Sequence, residues 1–279
     1  TESNPESTSP QFFARIRETG YTRVSLGMQS ASAHVLAVLE RTHTPGRAAA
    51  AAREAAEAGF EHVNLDVIYG TPGESDADLD ATLDAVLAAP VDHVSAYALI
   101  VEDGTAFARK VRRGELAEPD DDVLAARYER IDERLSAAGL HWYEVSNWAR
   151  GDDGACQHNE AYWLSDDWWG VGPGAHSHVA GARWWNRKHP ARYAGELSEG
   201  RWPGQDWEAL TAQDRHAEAV MLRLRMRSGL PMAELDDEER RRAQQAVRSG
   251  LLAAAGGSFA LTDRGRLLAD GVVRDILFG

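Results

Sequence analysis

Between residues 21 and 146 the hydrophobic pattern switches back and forth between a period of two and a helical period near 3.6, and few folds accommodate that rhythm. Residues 23–29 place Val24, Leu26 and Met28 on one side of a strand and Ser25, Gly27 and Gln29 on the other. Thr44-Pro45 is expected to open an alanine-rich helix, with Thr44 as its N-cap, Pro45 in the first turn and Gly59 closing it. Residues 61–69 repeat the strand pattern, Val63, Leu65 and Val67 opposing Asn64, Asp66 and Ile68. Ser75 caps a helix carrying Leu79, Leu83, Val86 and Leu87, which Pro90 stops. A third strand is expected over 92–99, a long helix over 120–138 with Leu124, Tyr128, Ile131 and Leu135 on one stripe, and a fourth strand over 141–145. Strands alternating with helices in this way imply a parallel sheet, open or closed into a barrel.

The polar sides of these strands carry the functional signal. A filled barrel interior is branched and apolar, whereas Ser25, Gly27, Gln29, Asn64 and Asp66 are small or polar, which suits an enclosed ligand cavity. Gln29 and Asp66 fall near the carboxyl ends of their strands, where parallel sheets place their chemistry.

From about residue 150 to 207 the periodicity dissolves into Gly, Asp, His and Trp, and all nine tryptophans lie between Trp142 and Trp207. Flat aromatic surface with imidazole and carboxamide among it suits a large planar ligand. Glycines 170, 172 and 174 are expected to let backbone approach such a ligand, although without a following helix they form no nucleotide fingerprint. The pairs Trp168-Trp169 and Trp184-Trp185 read as core. Helices are then expected over 211–226 and 236–248, a hairpin over 250–262 turning at Gly256-Gly257, and a last helix capped by Thr262 carrying Leu267, Leu268, Val272 and Ile276. That order is the order of a winged helix.

Bulk properties exclude several classes. A net charge of −14 argues against a nucleic-acid footprint. Arg240-Arg241-Arg242 is the one basic feature of the tail, but residues 214–250 hold eight Arg against seven Asp plus Glu, so a solvated helix face is the expected reading. No apolar run approaches the roughly 20 residues of a membrane span. The single cysteine, Cys156, excludes an internal disulfide and points to a reducing cytoplasm.

Several runs together resemble the radical S-adenosylmethionine coproporphyrinogen oxidase-like proteins: Glu2-Ser3-Asn4-Pro5, Ser25-Leu26-Gly27-Met28-Gln29, Arg41, and Asn64 through Pro72. Tyr143-Glu144-Val145-Ser146-Asn147-Trp148, His158-Asn159-Glu160-Ala161-Tyr162-Trp163 and Gly170 through His176 narrow the resemblance to the HemW heme chaperone family. The resemblance covers essentially the whole chain. It implies an α/β fold: a partial radical SAM barrel over 1–149, a Trp-rich heme-handling segment over 150–207, and a helical, winged-helix-like C-terminal domain over 208–279. It further implies that two strands, most of a third and the loop of three cysteines that binds a 4Fe-4S cluster precede Glu2 in the intact protein, so that this chain is a fragment. A half barrel of that kind would present an open strand edge.

The same resemblance assigns residues. Glu2, Gln29, Arg41 and Asp66 match positions that contact S-adenosylmethionine, and Tyr69-Gly70-Thr71-Pro72 is expected to be a turn bordering that ligand. His158, Asn159, Tyr162, Trp163 and His176 are the heme-binding candidates: His158 as one weak axial ligand, Tyr162 and Trp163 as stacking surface, Asn159 fixing the imidazole, His176 as a second candidate ligand. Taken alone, His158 reads as a histidine satisfied in a polar loop, and Tyr162 and Trp163 as simple packing. The expected function is to bind heme and pass it to acceptor hemoproteins, including those of the respiratory chain, without turnover. The alternative is an oxygen-independent coproporphyrinogen III dehydrogenase. The resemblance admits a homodimer, and a cytoplasmic location peripheral to the inner membrane face.

Overall fold

Alternating side chains along the early strands give a sheet with one aliphatic side under helices and one polar side. The structure is a computed structural model describing all 279 residues. It separates into two units, residues 1–155 and 156–279.

The first unit runs β1 (Glu2–Ser3), α1 (Pro10–Glu18), β2 (Arg23–Gln29), α2 (Ala33–Val38), α3 (Arg47–Glu57), β3 (His62–Tyr69), α4 (Asp76–Leu87), β4 (His93–Ala98), α5 (Ala106–Arg112), α6 (Asp121–Ala137), β5 (His141–Glu144) and β6 (Asn147–Ala149). One six-stranded sheet results, in the order β1-β2-β3-β4-β6-β5. The first four strands are parallel, and β6 pairs antiparallel with both β4 and β5. Val24, Leu26, Leu65 and Val67 are wholly buried on the aliphatic side, a burial that stabilises by about 1.5–3 kcal/mol per side chain. Helix α3 turns Ala48, Ala51, Ala52 and Ala55 inward at helical spacing, so its backbone comes close to β2 and β3. Caps fix the helix starts: Ser75 and Asp78 form a reciprocal capping box on α4, and Asp120 accepts from Val123 N–H on α6.

The second unit runs α7 (Gln157–Trp163), β7 (His176–Val179), β8 (Ala182–Asn186), α8 (Pro190–Ser198), β9 (Gly204–Ala209), α9 (Ala212–Arg223), β10 (Leu230–Pro231), α10 (Asp237–Arg248), β11 (Leu252–Ala255), β12 (Ser258–Leu261), α11 (Asp263–Arg266) and α12 (Ala269–Phe278). It holds two three-stranded antiparallel sheets, β7-β8-β9 and β10-β12-β11. Val220, Leu224, Leu230, Phe259, Val272 and Ile276 belong to a core between the second of these sheets and its helices.

Five expectations are corrected. Thr44 does not cap α3. That helix starts at Arg47 behind Gly46 at φ 77°, while the Thr44 N–H and hydroxyl bond the Glu6 carboxylate at 2.6 and 3.1 Å. The sheet is not wholly parallel, because Ser146 adopts φ 81° and folds β6 back between β4 and β5. Residues 150–207 are not irregular but hold two helices and three strands, whose period is obscured by tryptophans on both strand faces. The tryptophan pairs are not core: Trp169 is 68% exposed, and Trp168, Trp184 and Trp185 are half-buried. The last helix breaks at Leu267-Leu268, because Gly265 is pressed against the Leu251 carbonyl and Thr262 is tied to Gly250 and Leu251, which fixes α11 to the hairpin. The arginine run makes local contacts: Arg240 and Arg242 donate to the carbonyls of Leu235 and Ile276, and Arg241 pairs with Glu238.

Candidate functional site

Strand register gathers the polar residues of the first unit into rows across the sheet. Glu2, Ser25, Asn64 and His93 stand opposite one another on successive strands, as do Gly27, Asp66 and Ser95. These rows interlock. Ser25 Oγ lies 2.8 and 3.0 Å from the two Asp66 carboxylate oxygens, and Asn64 Nδ2 donates to Asp66 Oδ1 at 2.7 Å. Behind them, His93 Nδ1 donates to Asn64 Oδ1 at 2.8 Å and Tyr143 Oη donates to His93 Nε2 at 2.9 Å. Burial holds the His93 imidazole neutral, its pKa lowered to about 3. Burial also raises Asp66 above its ordinary value, against the lowering by Ser25, Asn64 and Ser95, with the charge of Glu2 adding to the rise. Sequence reasoning missed Ser95, His93 and Tyr143, and the register of β3 against β4 is the signal that finds the first two.

In front of this network opens a cleft of ≈ 390 Å³ lined by Glu2, Gln29, Asp66, Ile68, Tyr97, Ala98, Leu99 and Ile100. Gln29 reaches it by a local irregularity. The register of β2 shifts between Gly27 and Gln29, and Gln29 adopts φ 67°. A non-glycine residue in that region is strained, and such strain tends to gather at ligand sites. The Gln29 carboxamide folds back over Gly27, its Nε2 2.8 Å from where a Cβ on that glycine would stand. Arg41 does not line the cleft. It is exposed beyond α2, its N–H closing that helix on Leu36 O at 2.9 Å. The Tyr69–Pro72 turn does not line the cleft either: Gly70 donates to the buried Glu74 carboxylate at 2.7 Å, and its α-carbon packs against Leu124. Tyr97, Leu99 and Ile100 were missed, although their place at the carboxyl end of β4 beside Asp66 points to them.

The donor set suits S-adenosylmethionine in kind, because carboxylates and a carboxamide can accept from an amino group and from ribose hydroxyls. It does not suit an iron–sulfur cluster. The one cysteine, Cys156, stands at the N-cap of α7 in the other unit, and one thiolate cannot hold a cluster that needs several. No group of three or more His, Cys, Asp or Glu side chains converges on a metal-sized site.

In the second unit the aromatic residues form a ladder. The His158 ring meets Tyr162 edge-on at 4.8 Å, one turn along α7; Tyr162 meets Trp168 edge-on at 4.8 Å; Trp168 lies against His178 at 4.9 Å. His158 and Tyr162 are exposed, whereas His178 is 5% exposed. His176, two residues before His178 on the same side of β7, stacks on Trp185 at 5.7 Å. Trp163 enters none of these ring pairs, and no hydrogen bond links Asn159 to the His158 imidazole; the Tyr162 ring is what that imidazole touches. The glycine run is explained by its own chain rather than by a ligand: a Cβ on Gly170 would lie 2.2 Å from the His176 carbonyl, and Asn186 donates to the Gly170 and Gly172 carbonyls. His178 and Trp168 were missed, because Trp168 faces Tyr162 only through a bridge between its backbone and that of His178.

Comparison with known proteins adds an independent line. Residues 1–86 match the Radical SAM superfamily and residues 210–268 match the HemN C-terminal domain. The heme chaperone HemW of Mycobacterium tuberculosis is 61% identical over 277 residues, covering 99% of this chain and 71% of that protein. Heme chaperone HemW of Bacillus subtilis is 28% identical over 97% of this chain and 73% of that protein, and that of Escherichia coli is 29% identical over 98% and 72%. Among solved structures, coproporphyrinogen III oxidase (HemN) from Escherichia coli shares the fold at a TM-score of 0.81 and 20% identity, covering 99% of this chain and 69% of that one.

Proposed function

The chain belongs to the HemW heme chaperone family of radical SAM proteins, and from that premise we propose that it binds heme on the second unit and passes it to acceptor hemoproteins. The observation that carries this reading is the ladder from His158 to His178. It holds an exposed imidazole at the end of a row of aromatic rings, where a flat macrocycle can stack and its iron can take one axial nitrogen. Cargo must also leave, and one exposed imidazole with stacking suits release better than a closed cage. His176 on Trp185 is the second candidate ligand, and Asn159 and Trp163 flank the site.

On this reading residues 1–149 are the later part of a radical SAM barrel, 150–207 the heme-handling segment and 208–279 a winged-helix-like domain. S-adenosylmethionine would be held in the cleft by Glu2, Gln29 and Asp66, while Arg41, the fourth position matched by resemblance, stands outside the cleft; bound there with a reduced cluster it supplies radical chemistry in the superfamily. The role proposed for this chain is cargo binding rather than turnover, with acceptors that include hemoproteins of the respiratory chain. We place it in the cytoplasm; no helix is long and apolar enough to cross a membrane.

The test is an anaerobic heme titration of the chain beside His158→Ala, followed at the Soret band, with circular dichroism confirming that both are folded. Saturable, stoichiometric binding that the substitution weakens is expected. A folded chain without saturable binding would remove heme handling from these residues.

A further inference from the structure

Helix α7 cannot set the direction of the His158 imidazole by itself. It is seven residues long, buries none of its side chains and receives no side-chain cap from Cys156, and a helix that short is marginal without outside support. What fixes the ring lies ten residues away. Trp168 is locked to His178 by two backbone bonds, Trp168 N–H to His178 O at 2.8 Å and His178 N–H to Trp168 O at 3.0 Å, and its indole N–H donates to His176 O at 3.2 Å. Against this fixed indole stands the edge of Tyr162, and against Tyr162 the edge of His158.

The buried end of the ladder is chemically unusual. His178 Nδ1 lies 3.2 Å from the Asp166 carbonyl, which can only accept, so Nδ1 carries the proton. Its Nε2 is buried with no hydrogen-bond partner. Leaving a buried nitrogen unpaired costs stability, and a phenylalanine would fill the space without that cost. The ring of this histidine touches the indole that props Tyr162 and gives it a buried backing.

We propose that Trp168 and His178 are positioning residues for the His158 imidazole, setting its orientation toward heme iron through Tyr162. Neither residue touches the cargo in this scheme. The ring contacts transmit a fixed geometry from the β7 sheet to an otherwise weakly held helix. This inference rests on the proposed role of His158 in binding heme.

The experiment uses the full chain and ferric heme, comparing Trp168→Leu, Trp168→Phe, His178→Ala, His178→Phe and His158→Ala by Soret position, spin-state bands and titration, with circular dichroism on each. Trp168→Leu is expected to move the Soret and spin-state bands toward those of His158→Ala and to weaken binding by about tenfold, the size of one lost aromatic contact. Trp168→Phe, which keeps a ring edge, is expected to restore most of both. Folded Trp168→Leu with parental bands and affinity, beside a His158→Ala that has lost them, would overturn the positioning role and leave the heme reading standing. Should Trp168→Leu fail to fold, His178→Ala, which removes the ring behind the indole, decides: parental bands in that folded variant sink the proposal, shifted bands support it, and His178→Phe, which keeps a ring there, is expected to retain the parental bands. If His158→Ala itself keeps the parental spectrum, the underlying reading fails whatever the tryptophan variants do.

Discussion

The Ser25 hydroxyl on β2 lies against both carboxylate oxygens of Asp66 on β3, at 2.8 and 3.0 Å. The contact explains how an acid with a raised pKa is kept at the mouth of the cleft. Asp66 is held by neutral donors, Ser25, Asn64 and Ser95, rather than by a cation, so burial outweighs the help it receives. A carboxyl whose folded pKa is raised gives stability that is complete below its unfolded value of 3.8 and is lost as pH rises through the folded pKa. At pH 7 Asp66 is therefore a liability for the fold, of the kind tolerated where a ligand is bound.

Asp66→Asn should accordingly melt higher than the parent at pH 7, by a few degrees for about 1 kcal/mol, and the advantage should vanish below about pH 4. The same substitution should weaken S-adenosylmethionine binding by roughly tenfold or more, the worth of a charged hydrogen bond. Thermal melts across pH and isothermal titration check both halves. A variant that melts lower than the parent at pH 7 contradicts the argument.

Gln29 tests the strain at the same cleft. With φ at 67°, an L residue there carries about 1–2 kcal/mol that glycine does not. Gln29→Gly should therefore be more stable than Gln29→Ala by about 1 kcal/mol after glycine's entropy is counted. Both lack the carboxamide and should bind S-adenosylmethionine equally poorly. Urea unfolding midpoints of the two variants decide it, and equal midpoints would show that the backbone is unstrained.

How much of this was legible beforehand differs by region. The aliphatic stripes of β2 and β3, and the polar pair Gln29 and Asp66 opposite them, follow from a period of two, so the sheet and half of the cleft could be read from spacing alone. The return of β6 could not: it depends on Ser146 at φ 81°, a conformation that serine does not advertise. In the second unit the i, i+4 pairing of His158 and Tyr162 needs the helix Gln157–Trp163, which the sequence reads as irregular chain. Its continuation into Trp168 and His178 was not legible either, because it passes through a backbone bridge that spacing does not encode. Arg41 was placed by resemblance alone, and its exposed loop position carries no spacing signal.

Behind the Tyr69–Pro72 turn, Arg127 Nη1 donates to Glu74 Oε2 at 2.8 Å, with both side chains nearly inaccessible. Even so, burial raises the Glu74 pKa, outweighing the bond from Gly70 and the charge of Arg127. Arg127→Met should cost about 3–5 kcal/mol at pH 7, because it strands a buried carboxylate. Adding Glu74→Gln to it should recover much of that loss. The single variant should also lose stability as pH rises above the ordinary carboxylate range, since its Glu74 is raised further. Denaturant unfolding of the single and double variants at two pH values measures this, and a double variant no better than the single would refute it.

His93 should dominate the acid limb of the first unit. Its imidazole, 2% exposed between Asn64 and Tyr143, is held neutral, with the pKa lowered from 6.5 to about 3. Between those values the unfolded chain binds a proton that the folded chain refuses, so stability falls as pH drops from 6.5 toward 3. Asp66 and Glu74, with raised values, act in the opposite sense over part of that window, and their protonation on acidification partly offsets the loss. Replacing His93 by Gln keeps an amide able to bond Asn64 and removes the titration. His93→Gln should therefore be less stable than the parent at pH 7, where a packed ring is lost, but its melting temperature should fall less between pH 6.5 and pH 4. Melts at half-unit pH intervals give the comparison directly. Parallel curves for parent and variant would mean that the acid limb belongs to other groups and that the imidazole is not held neutral by its burial.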